Sequence, residues 1–413
     1  MSRSLNLVVL CPHFAPDTAP TGVVMTRIVH ELAELGHRVH VVTSLPWYRE
    51  HRVEDDWRSI TWRRRTTEVE WGSIARLNPF AGGDKRNLVR RALGFVGFSI
   101  TATIAGCRAG RGERIDAVIA MSPPLTMGLS GRLVAWARRA PLVFNIQDVF
   151  PDAAIETGAI RNRLVIGVAR LLERISYRLA NRVTVLSSDL AENVAAKFSR
   201  PDRVAVIPNF VDTAAIAPRD PDTAYRRELG LGPRPIVMYA GNIGFSQSLS
   251  LMLEAARAMP DVDFVINGNG SARQDLQTSA SSIPNVVFGD FQPPERLAEV
   301  LATGDVHVVP LRRGLGRVSV PSKTYSIMAA GRPIVAAIDA GTEVTRLIDG
   351  ARCGIAVEPD SPNDFVAALR TILADGDERR AMGSRARSFV ENQASPRAVA
   401  EAYVALIDDL SPS

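Results

Sequence analysis

The stretch Val320–Ala337 reads VPSKTYSIMAAGRPIVAA and joins a polar helix start to a buried strand. Ser322 is a candidate N-cap behind a proline that suits the first helical turn, and Gly331 followed by Pro333 ends the helix before the apolar run IVAA begins a strand. A helix that starts with Pro-Ser-Lys directs backbone N–H groups and the Lys323 ammonium to one place. The stretch therefore predicts either an anion-binding site or a surface helix with a solvated lysine.

The second half of the chain alternates strands and helices around two glycine turns. A strand over 235–240 leads through GNIG into a helix over 247–258, and a strand over 262–266 leads into NGNG. In a parallel sheet these turns and the Lys323 helix lie at one edge, where they predict a site for a nucleotide diphosphate held by backbone groups and Lys323. The candidate residues are Gly241, Asn242, Gly244, Gln247, Gly268, Gly270, Ser322 and Lys323.

Neither turn contains the dinucleotide fingerprint GxGxxG, and the chain has no GxxxxGK[ST] motif, which excludes the dehydrogenase and P-loop classes at the motif level. No RNP, zinc-finger or helix-turn-helix signature indicates a nucleic-acid partner. The three cysteines, Cys11, Cys107 and Cys353, form no CxxC pair and have no histidine at ligand spacing. They indicate a reducing cytoplasm and neither a disulfide framework nor a metal site.

The first half of the chain has the same alternation. A strand over 5–11, a proline-rich loop over 12–20 and a helix from Thr21-Gly22 to Gly36 form a βαβ unit with the next strand, and Gly22 at the helix start allows a phosphate to approach the backbone. Strands over 115–120, 141–146, 182–186 and 204–207 follow, with helices over 124–139, 161–180 and 189–198. The pattern predicts an α/β protein with two doubly wound, Rossmann-like domains, and residues 209–233 are predicted to be the linker.

The net charge of +5 is unevenly distributed over the 413 residues. Residues 1–200 contain 28 Lys and Arg against 18 Asp and Glu, whereas residues 201–413 contain 21 against 26. A basic half is typical of proteins that face an anionic membrane or an acidic substrate. The segment 84–108 begins with Lys85, Arg86, Arg90 and Arg91 and continues with sixteen uncharged residues, too few for a comfortable membrane span. It is predicted to be either a core helix or a helix on a membrane surface with Phe95 and Phe98 inserted.

Seven motifs in order carry a resemblance to a known family. They are PHFAP with the following TG and ELGHRVHVVTSLPWY, QDVFPDAAIETG, RVTVLSSDLAEN with VIPNFVD, YAGNIG, NGNG, VPSKTYSIMAAGRPIVA and ARCGIAVEP. In this order they resemble the family 4 glycosyltransferases of the GT-B fold, and most of all the branch that builds bacterial surface polysaccharides with amino-sugar donors.

The resemblance implies two domains that face each other across a cleft. Residues 1–208 would bind the acceptor, residues 209–395 the nucleotide sugar, and the helix in 396–413 would cross back to the first domain. The implied donor is a UDP-sugar, and the acceptor is a glycan or a sugar on polyprenyl diphosphate. The implied transfer retains the anomeric configuration and needs no metal or other cofactor. The expected location is the cytoplasm, with peripheral binding to the plasma membrane.

The sequence departs from the family pattern at four positions. Asn242 and Gln247 stand where many members carry an Arg and a Lys that hold the diphosphate, and Val318 and Ser326 stand where many carry two glutamates. By resemblance, Lys323 and Arg317 would supply the missing phosphate charge. Glu343 would bind the ribose, or would be only a first-turn glutamate that favours the helix dipole.

For catalysis, Asp148, Asp152 and His13 are the polar candidates in the first domain. Asp148 would accept the acceptor proton or bind a donor hydroxyl, whereas Asp152 is equally suited to cap a helix and His13 to cap a loop. Two other classes stay open from the sequence: a nucleotide-sugar epimerase of the same fold and a catalytically inactive scaffold.

Overall fold

In the computed structural model the described residues are 3–49, 52–60, 65–79, 88–147, 149–152, 162–198, 200–315 and 323–410, with the backbone alone at 59, 60 and 88–93. The chain divides into two compact units. The first unit is Met1–Asn209 with Pro396–Ser413, and the second unit is Phe210–Ser395.

The first unit is built on one twisted sheet with the strand order β3-β4-β2-β1-β5-β6-β7-β8. All neighbouring strands in it are parallel except β3 and β4, which form an antiparallel hairpin at one edge. The central strands β1, β5 and β6 are mostly apolar and almost wholly buried, as expected for strands that helices cover on both faces. The strands are β1 Asn6–Leu10, β2 Arg38–Ser44, β3 Arg65–Val69, β4 Gly72–Leu77, β5 Ala117–Ser122, β6 Leu142–Ile146, β7 Arg182–Val185 and β8 Val204–Val206.

The helices of the first unit are α1 Pro20–Glu34, α2 Leu88–Arg108, α3 Thr126–Arg138, α4 Arg163–Leu179, α5 Ser188–Ala195 and, from the chain end, α14 Pro396–Asp408. Helix α14 is part of this unit because it packs against α1 and reaches the sheet. The Tyr403 hydroxyl accepts a hydrogen bond from Asn145 Nδ2 at 2.8 Å. At the surface, Arg182 pairs with Asp409 at 2.7 Å.

The second unit contains a parallel sheet with the order β11-β10-β9-β12-β13-β14. Its strands are β9 Ile236–Ala240, β10 Asp263–Asn267, β11 Val286–Gly289, β12 Val306–Pro310, β13 Ile334–Ala337 and β14 Gly354–Val357. Its helices are α6 Ala224–Glu228, α7 Ser250–Ala258, α8 Arg273–Ala280, α9 Leu297–Thr303, α10 Lys323–Ala329, α11 Glu343–Ala351, α12 Pro362–Ala374 and α13 Gly376–Gln393.

The α/β class and the doubly wound sheets predicted from sequence are confirmed. The elements that were not predicted are the β3–β4 hairpin, strand β14 and helices α6, α8 and α12. Helix α7 begins at Ser250 rather than at Gln247, because the Gln247 side chain accepts a hydrogen bond from the Gly244 N–H at 3.0 Å and closes a turn first. The predicted helix boundary there was wrong by three residues.

The predicted linker over 209–233 is wrong for most of its length. Val211, Ile216 and Tyr225 are buried in the second unit, and α6 lies inside the same segment. The unit boundary falls between Asn209 and Phe210. Proline and glycine accumulate in this segment because it folds tightly onto the unit, so their presence did not indicate an extended linker.

Helix α2 bears on the two predictions for the segment 84–108, a core helix or a helix on a membrane surface. Phe98 is buried in the core of the first unit together with Ala102 and Ala105, so the predicted insertion of Phe98 into a membrane is wrong. Lys85 and Arg86 and the side chains of Arg90 and Arg91 lie outside the described residues. Within the described part of the chain, no helix is long and apolar enough to cross a bilayer.

Candidate functional site

Each unit has a point at which the strand order reverses direction. In the first unit this switch point lies between β1 and β5, and in the second unit between β9 and β12. Open parallel sheets bind their ligands outside the carboxyl ends of the strands at such points. His13 follows β1 in the chain, and the GNIG turn follows β9. Both clusters of candidate residues therefore lie where the topology favours a ligand.

Lys323 is held at the switch point of the second unit by Tyr239. Its Nζ donates a hydrogen bond to the Tyr239 hydroxyl at 2.7 Å and lies 3.9 Å from the centre of the same ring. The Tyr239 hydroxyl in turn donates to the backbone carbonyl of Asn242. Because that proton is committed to the carbonyl, the hydroxyl presents its lone pair to the ammonium, and Lys323 has a defined position.

The ammonium lies beside the GNIG turn and is poorly compensated. A Cβ built on Gly241 would lie 3.0 Å from Lys323 Nζ, so only glycine leaves this space open. Burial lowers the pKa of Lys323 from 10.5 to about 7, and no carboxylate contributes to the shift. Arg273, the cation at the NGNG turn, differs because it pairs with Asp290 at 2.7 Å and donates to the carbonyl of Gly268. An unneutralised, half-buried ammonium is a site for an anion.

The glycines of the two turns are required for close packing of one turn on the other. A Cβ on Gly268 would lie 1.9 Å from the Gly241 carbonyl oxygen, and one on Gly270 would lie 2.2 Å from that of Ile243. Both glycines have positive φ angles, +138° and +156°. Any side chain here would separate the turns.

The amides of these glycines are already hydrogen-bonded. The N–H groups of Gly241 and Gly268 donate to the carbonyls of Asn267 and Gly289 at 2.9 and 3.1 Å. Gly270 donates to the Asn269 side chain at 2.8 Å, and Gly244 donates to Gln247. The sequence predicted that backbone N–H groups of these glycines would bind a diphosphate. In this structure the same N–H groups already donate to other acceptors. Among the described residues, the Lys323 ammonium is a donor at this edge that has no carboxylate partner.

Glu343 occupies the first turn of α11 and is largely buried. Its Oε2 accepts a hydrogen bond from Arg346, one turn further along the same helix, at 3.2 Å. Burial raises the pKa of Tyr325 on α10, and the charge of Glu343 adds to that rise. Glu343 is thus both a first-turn glutamate and a neighbour of the helix that carries Lys323.

The first unit brings His13 together with an acidic and an aromatic partner. His13 Nδ1 lies 2.7 Å from Oδ2 of Asp17, whose side chain is fully buried. The imidazole stacks on Trp47 with ring centres 5.5 Å apart and meets the edge of Tyr48 at 5.6 Å. A Cβ on Gly22 would lie 2.7 Å from His13 Cβ. Gly22 therefore lets α1 approach His13, and its contact with a phosphate stays a prediction.

Asp152 belongs to a separate ionic group in the first unit. Its Oδ2 lies 2.6 Å from Lys197 Nζ, which also lies 2.7 Å from the buried carboxylate of Glu173. Burial raises the pKa of Glu173, and the Lys197 ammonium opposes that rise. Asp152 thus has a structural partner already, which reduces its availability as a base.

Three predicted site residues, Asp148, Arg317 and Ser322, lie outside the described residues. Within the described part of the chain, no three His, Cys, Asp or Glu side chains come together as a metal-binding group. Tyr239, Asp17, Trp47 and Tyr48 were not predicted. Two signals in the sequence could have indicated Tyr239 and Asp17. Tyr239 is a phenol near the end of an otherwise aliphatic strand, and Asp17 lies four residues after His13.

Comparison with known proteins places this geometry in a family. The model for the "Glycosyl transferase 4-like domain" matches residues 21–209, and the model for "Glycosyl transferases group 1" matches residues 234–375. Together they cover well over half of the chain. WcaI of Escherichia coli (strain K12), named as a candidate colanic acid biosynthesis glycosyl transferase, is 26% identical over 89% of this chain and 92% of its own length. WbjE of Pseudomonas aeruginosa, named as a candidate glycosyltransferase, is 27% identical over 71% of this chain and 74% of its own.

Solved structures share the fold at low sequence identity. Sucrose-phosphate synthase of Thermosynechococcus elongatus has a TM-score of 0.67 at 17% identity, covering 98% of this chain and 99% of that one. HepE of Anabaena, solved in complex with UDP, has a TM-score of 0.64 at 12% identity, covering 98% and 100%. At these identities the likeness establishes the architecture.

Proposed function

Because the chain belongs to the family 4 glycosyltransferases of the GT-B fold, we propose that it moves a sugar from a UDP-sugar to a glycan or to a sugar on polyprenyl diphosphate, in the synthesis of a bacterial cell-surface polysaccharide. The observation that carries the donor half of this proposal is the Lys323 ammonium at the switch point of the second unit.

The chemistry of Lys323 fits a nucleoside diphosphate. The ammonium has no carboxylate among the described residues to neutralise it, and it lies beside the GNIG turn at the switch point of the second unit. HepE, which shares the fold, was solved with UDP and with UDP-glucose. Burial removes water from the Lys323 ammonium, and the oxygens of a bound diphosphate would accept its hydrogen bonds instead. Charge-assisted hydrogen bonds to phosphate are among the stronger ones.

The acceptor half is supported by the cluster around His13. Stacked rings such as Trp47 and Tyr48 offer flat apolar faces with polar edges, which suit the faces of a sugar ring. Asp17 already pairs with the imidazole, so a ligand of this cluster need not carry a charge. The name of WcaI, which refers to colanic acid, supports a polysaccharide as the product.

For the reaction, Lys323 would stabilise the charge that develops on the leaving diphosphate. Asp148 remains the proposed partner of the acceptor hydroxyl, with His13 as the alternative; Asp152 is the weaker candidate because Lys197 holds it. We propose retention of configuration, with the leaving phosphate taking the acceptor proton, and no metal ion. Arg317 and Glu343 are proposed to assist at the phosphate and the ribose.

A donor and acceptor panel tests the proposal. The purified chain is incubated with UDP-, GDP- and ADP-sugars, with and without lipid-linked and free glycan acceptors, and products are followed by mass spectrometry. The proposal predicts transfer only when both substrates are present, unchanged by EDTA. Conversion of the donor without acceptor would indicate an epimerase, and donor binding without any conversion would indicate a scaffold.

A further inference from the structure

Helices α2, α3 and α4 lie side by side on one surface of the first unit. The middle helix, α3, is joined to α2 by a hydrogen bond from the Ser130 hydroxyl to the Ser99 carbonyl at 2.9 Å. Helix α4 is joined to the start of α3 by a bond from the Ser176 hydroxyl to the Leu125 carbonyl at 3.1 Å. A Cβ on Gly128 would lie 2.5 Å from Ser176 Cβ, so α3 and α4 are in close contact.

Helix α4 exposes an apolar stripe to solvent. Its buried residues are Glu173, Ser176 and Tyr177, and Tyr177 belongs to the hydrophobic core of the unit. Its exposed side contains the apolar stripe Leu164, Val168, Leu171 and Ile175, one residue per turn, with Leu164 78% exposed. An amphipathic helix of a globular unit normally turns its apolar stripe inward. Packing in the core of the unit therefore does not explain this stripe.

The neighbouring helices continue the apolar surface. Val96, Ile100 and Ile104 are exposed on successive turns of α2, and Leu133 and Trp136 are exposed on α3, with Trp136 74% exposed. These residues and the α4 stripe are called the outer face. Contiguous exposed apolar surfaces of this kind mark an interaction site, whereas single exposed apolar residues do not.

The exposed charged side chains on the described part of these three helices are all arginines. Helix α4 carries exposed Arg163, Arg170, Arg174 and Arg178, and α3 adds Arg132. Over the three helices the sequence contains one acidic residue, Glu173, which is buried against Lys197. An arginine guanidinium pairs well with phosphate, and tryptophan favours the boundary between water and hydrocarbon.

We propose that the outer face docks on the surface of an anionic lipid bilayer, with its apolar side chains between the headgroups and its arginines on lipid phosphates. A second copy of the chain fits less well, because a two-fold contact would place the same arginines opposite each other with no acidic partner on these helices. The proposal does not depend on the donor assignment. It concerns a surface of the first unit and would hold for any acceptor.

Vesicle flotation with the full chain tests this proposal. The chain should bind vesicles of phosphatidylethanolamine and phosphatidylglycerol at low salt, bind phosphatidylcholine vesicles weakly, and detach as salt rises. Leu164→Gln/Val168→Gln/Leu171→Gln and Arg170→Gln/Arg174→Gln should each lower the partition coefficient at least about tenfold. These positions are exposed, so the melting temperature and UDP binding should not change.

Two matched controls make the result specific. Arg257→Gln/Arg397→Gln removes the same charge from exposed sites elsewhere, and Phe291→Gln removes an exposed apolar ring of the second unit; both should bind vesicles like the wild type. Vesicles should shift the fluorescence of the wild type to the blue, and Trp136→Phe should remove most of the shift. The proposal is overturned by absent wild-type binding, by equal losses in the controls, or by a dimer that the triple α4 variant dissociates without weaker vesicle binding.

Discussion

The two switch-point clusters differ in how their charge is compensated. In the first unit the imidazole of His13 has a buried carboxylate, Asp17, at 2.7 Å. In the second unit the ammonium of Lys323 has a phenol, Tyr239, at 2.7 Å and no carboxylate among the described residues. Both groups have aromatic neighbours, but only the Lys323 ammonium has no carboxylate beside it among the described residues.

This difference indicates two kinds of ligand. Burying a charge without a counter-charge costs free energy that folding alone does not return, so such a group persists where a ligand supplies the opposite charge. A histidine that already has a carboxylate partner and lies among aromatic rings suits an uncharged sugar. The comparison therefore supports the proposal that the anionic donor binds to the second unit and the acceptor to the first.

The largest expected effect comes from Lys323→Met, which keeps the length of the side chain and removes its charge. The catalytic efficiency of transfer should fall about 30-fold or more, corresponding to about 2 kcal/mol for a lost charged hydrogen bond. The free energy of unfolding should be unchanged or slightly higher, because a poorly compensated cation is removed. Initial rates and urea unfolding measure the two quantities. Arg257→Met, an exposed cation of the same unit, serves as the control, and a matching loss there would count against a specific role.

The pH dependence is the next largest effect. With a pKa of about 7, the free ammonium loses its proton above neutral pH, while the phosphate charge is already constant there. Affinity for UDP should therefore fall toward about tenfold per pH unit above 7, until the raised pKa of the complex is reached. Calorimetry in buffers of different ionisation enthalpy should detect proton uptake on binding. The Lys323→Met variant should show neither trend.

The stability of the unliganded chain should change in the opposite direction. Between pH 7 and 10.5 the unfolded chain holds a proton on Lys323 that the folded chain has lost. The contribution of Lys323 to the free energy of unfolding therefore rises with pH across this window. The difference in unfolding free energy between wild type and Lys323→Met isolates this contribution, and a flat difference would place the lysine in water.

A smaller effect is expected in the first unit from Gly22→Ala. The new Cβ would lie 2.7 Å from His13 Cβ, so the histidine must move and its stacking on Trp47 must change. Transfer should fall about fivefold, corresponding to about 1 kcal/mol of overpacking, mainly through a higher KM for the acceptor. UDP affinity should not change. Gly350→Ala, a helical glycine with no atom near its Cβ position, is the control, and weaker UDP binding in Gly22→Ala would contradict the division of roles.

The smallest effect is expected from Tyr239→Phe. The ring under the ammonium remains, and only the hydroxyl that accepts from Lys323 and donates to the Asn242 carbonyl is lost. UDP affinity should fall about threefold, within the usual range of 0.5–1.5 kcal/mol, roughly, for one hydrogen bond. Surface plasmon resonance with immobilised protein resolves this difference. A loss as large as that of Lys323→Met would mean that the phenol, and not the ammonium, contacts the nucleotide.

Glycine and proline residues at the ends of helices and strands made much of the fold predictable from the sequence. Gly331 ends α10 with a φ of +66°, and β13 runs over Ile334–Ala337 as the sequence indicated. Helix α8 was missed because its sequence RQDLQTSA is almost entirely polar and its position is set by neighbouring elements. Residues 209–233 were misassigned because proline and glycine mark tight packing as well as flexible linkers.

The candidate site was predictable where it depended on topology and not where it depended on side-chain contacts. Lys323 and Gly241 come together because β9 and β12 are parallel neighbours; the strand pattern predicted the parallel sheet but not the order of its strands. Tyr239 was missed because its contact with Lys323 spans 84 residues and has no periodic signal. Contacts between the two glycine turns also leave no periodic signal in the sequence. The glycines were therefore interpreted as a backbone site for phosphate, although in the structure they allow one turn to pack on the other.

A ligand and mutation cycle tests the central claim most directly, that the Lys323 ammonium binds the donor diphosphate. Calorimetry gives the affinities of wild type and Lys323→Met for UDP and for uridine at pH 6.5, just below the pKa of about 7. The account predicts a coupling free energy of about 2 kcal/mol, with UDP binding weakened and uridine binding unchanged by the mutation. A coupling near zero, with both ligands affected equally or neither affected, would contradict it.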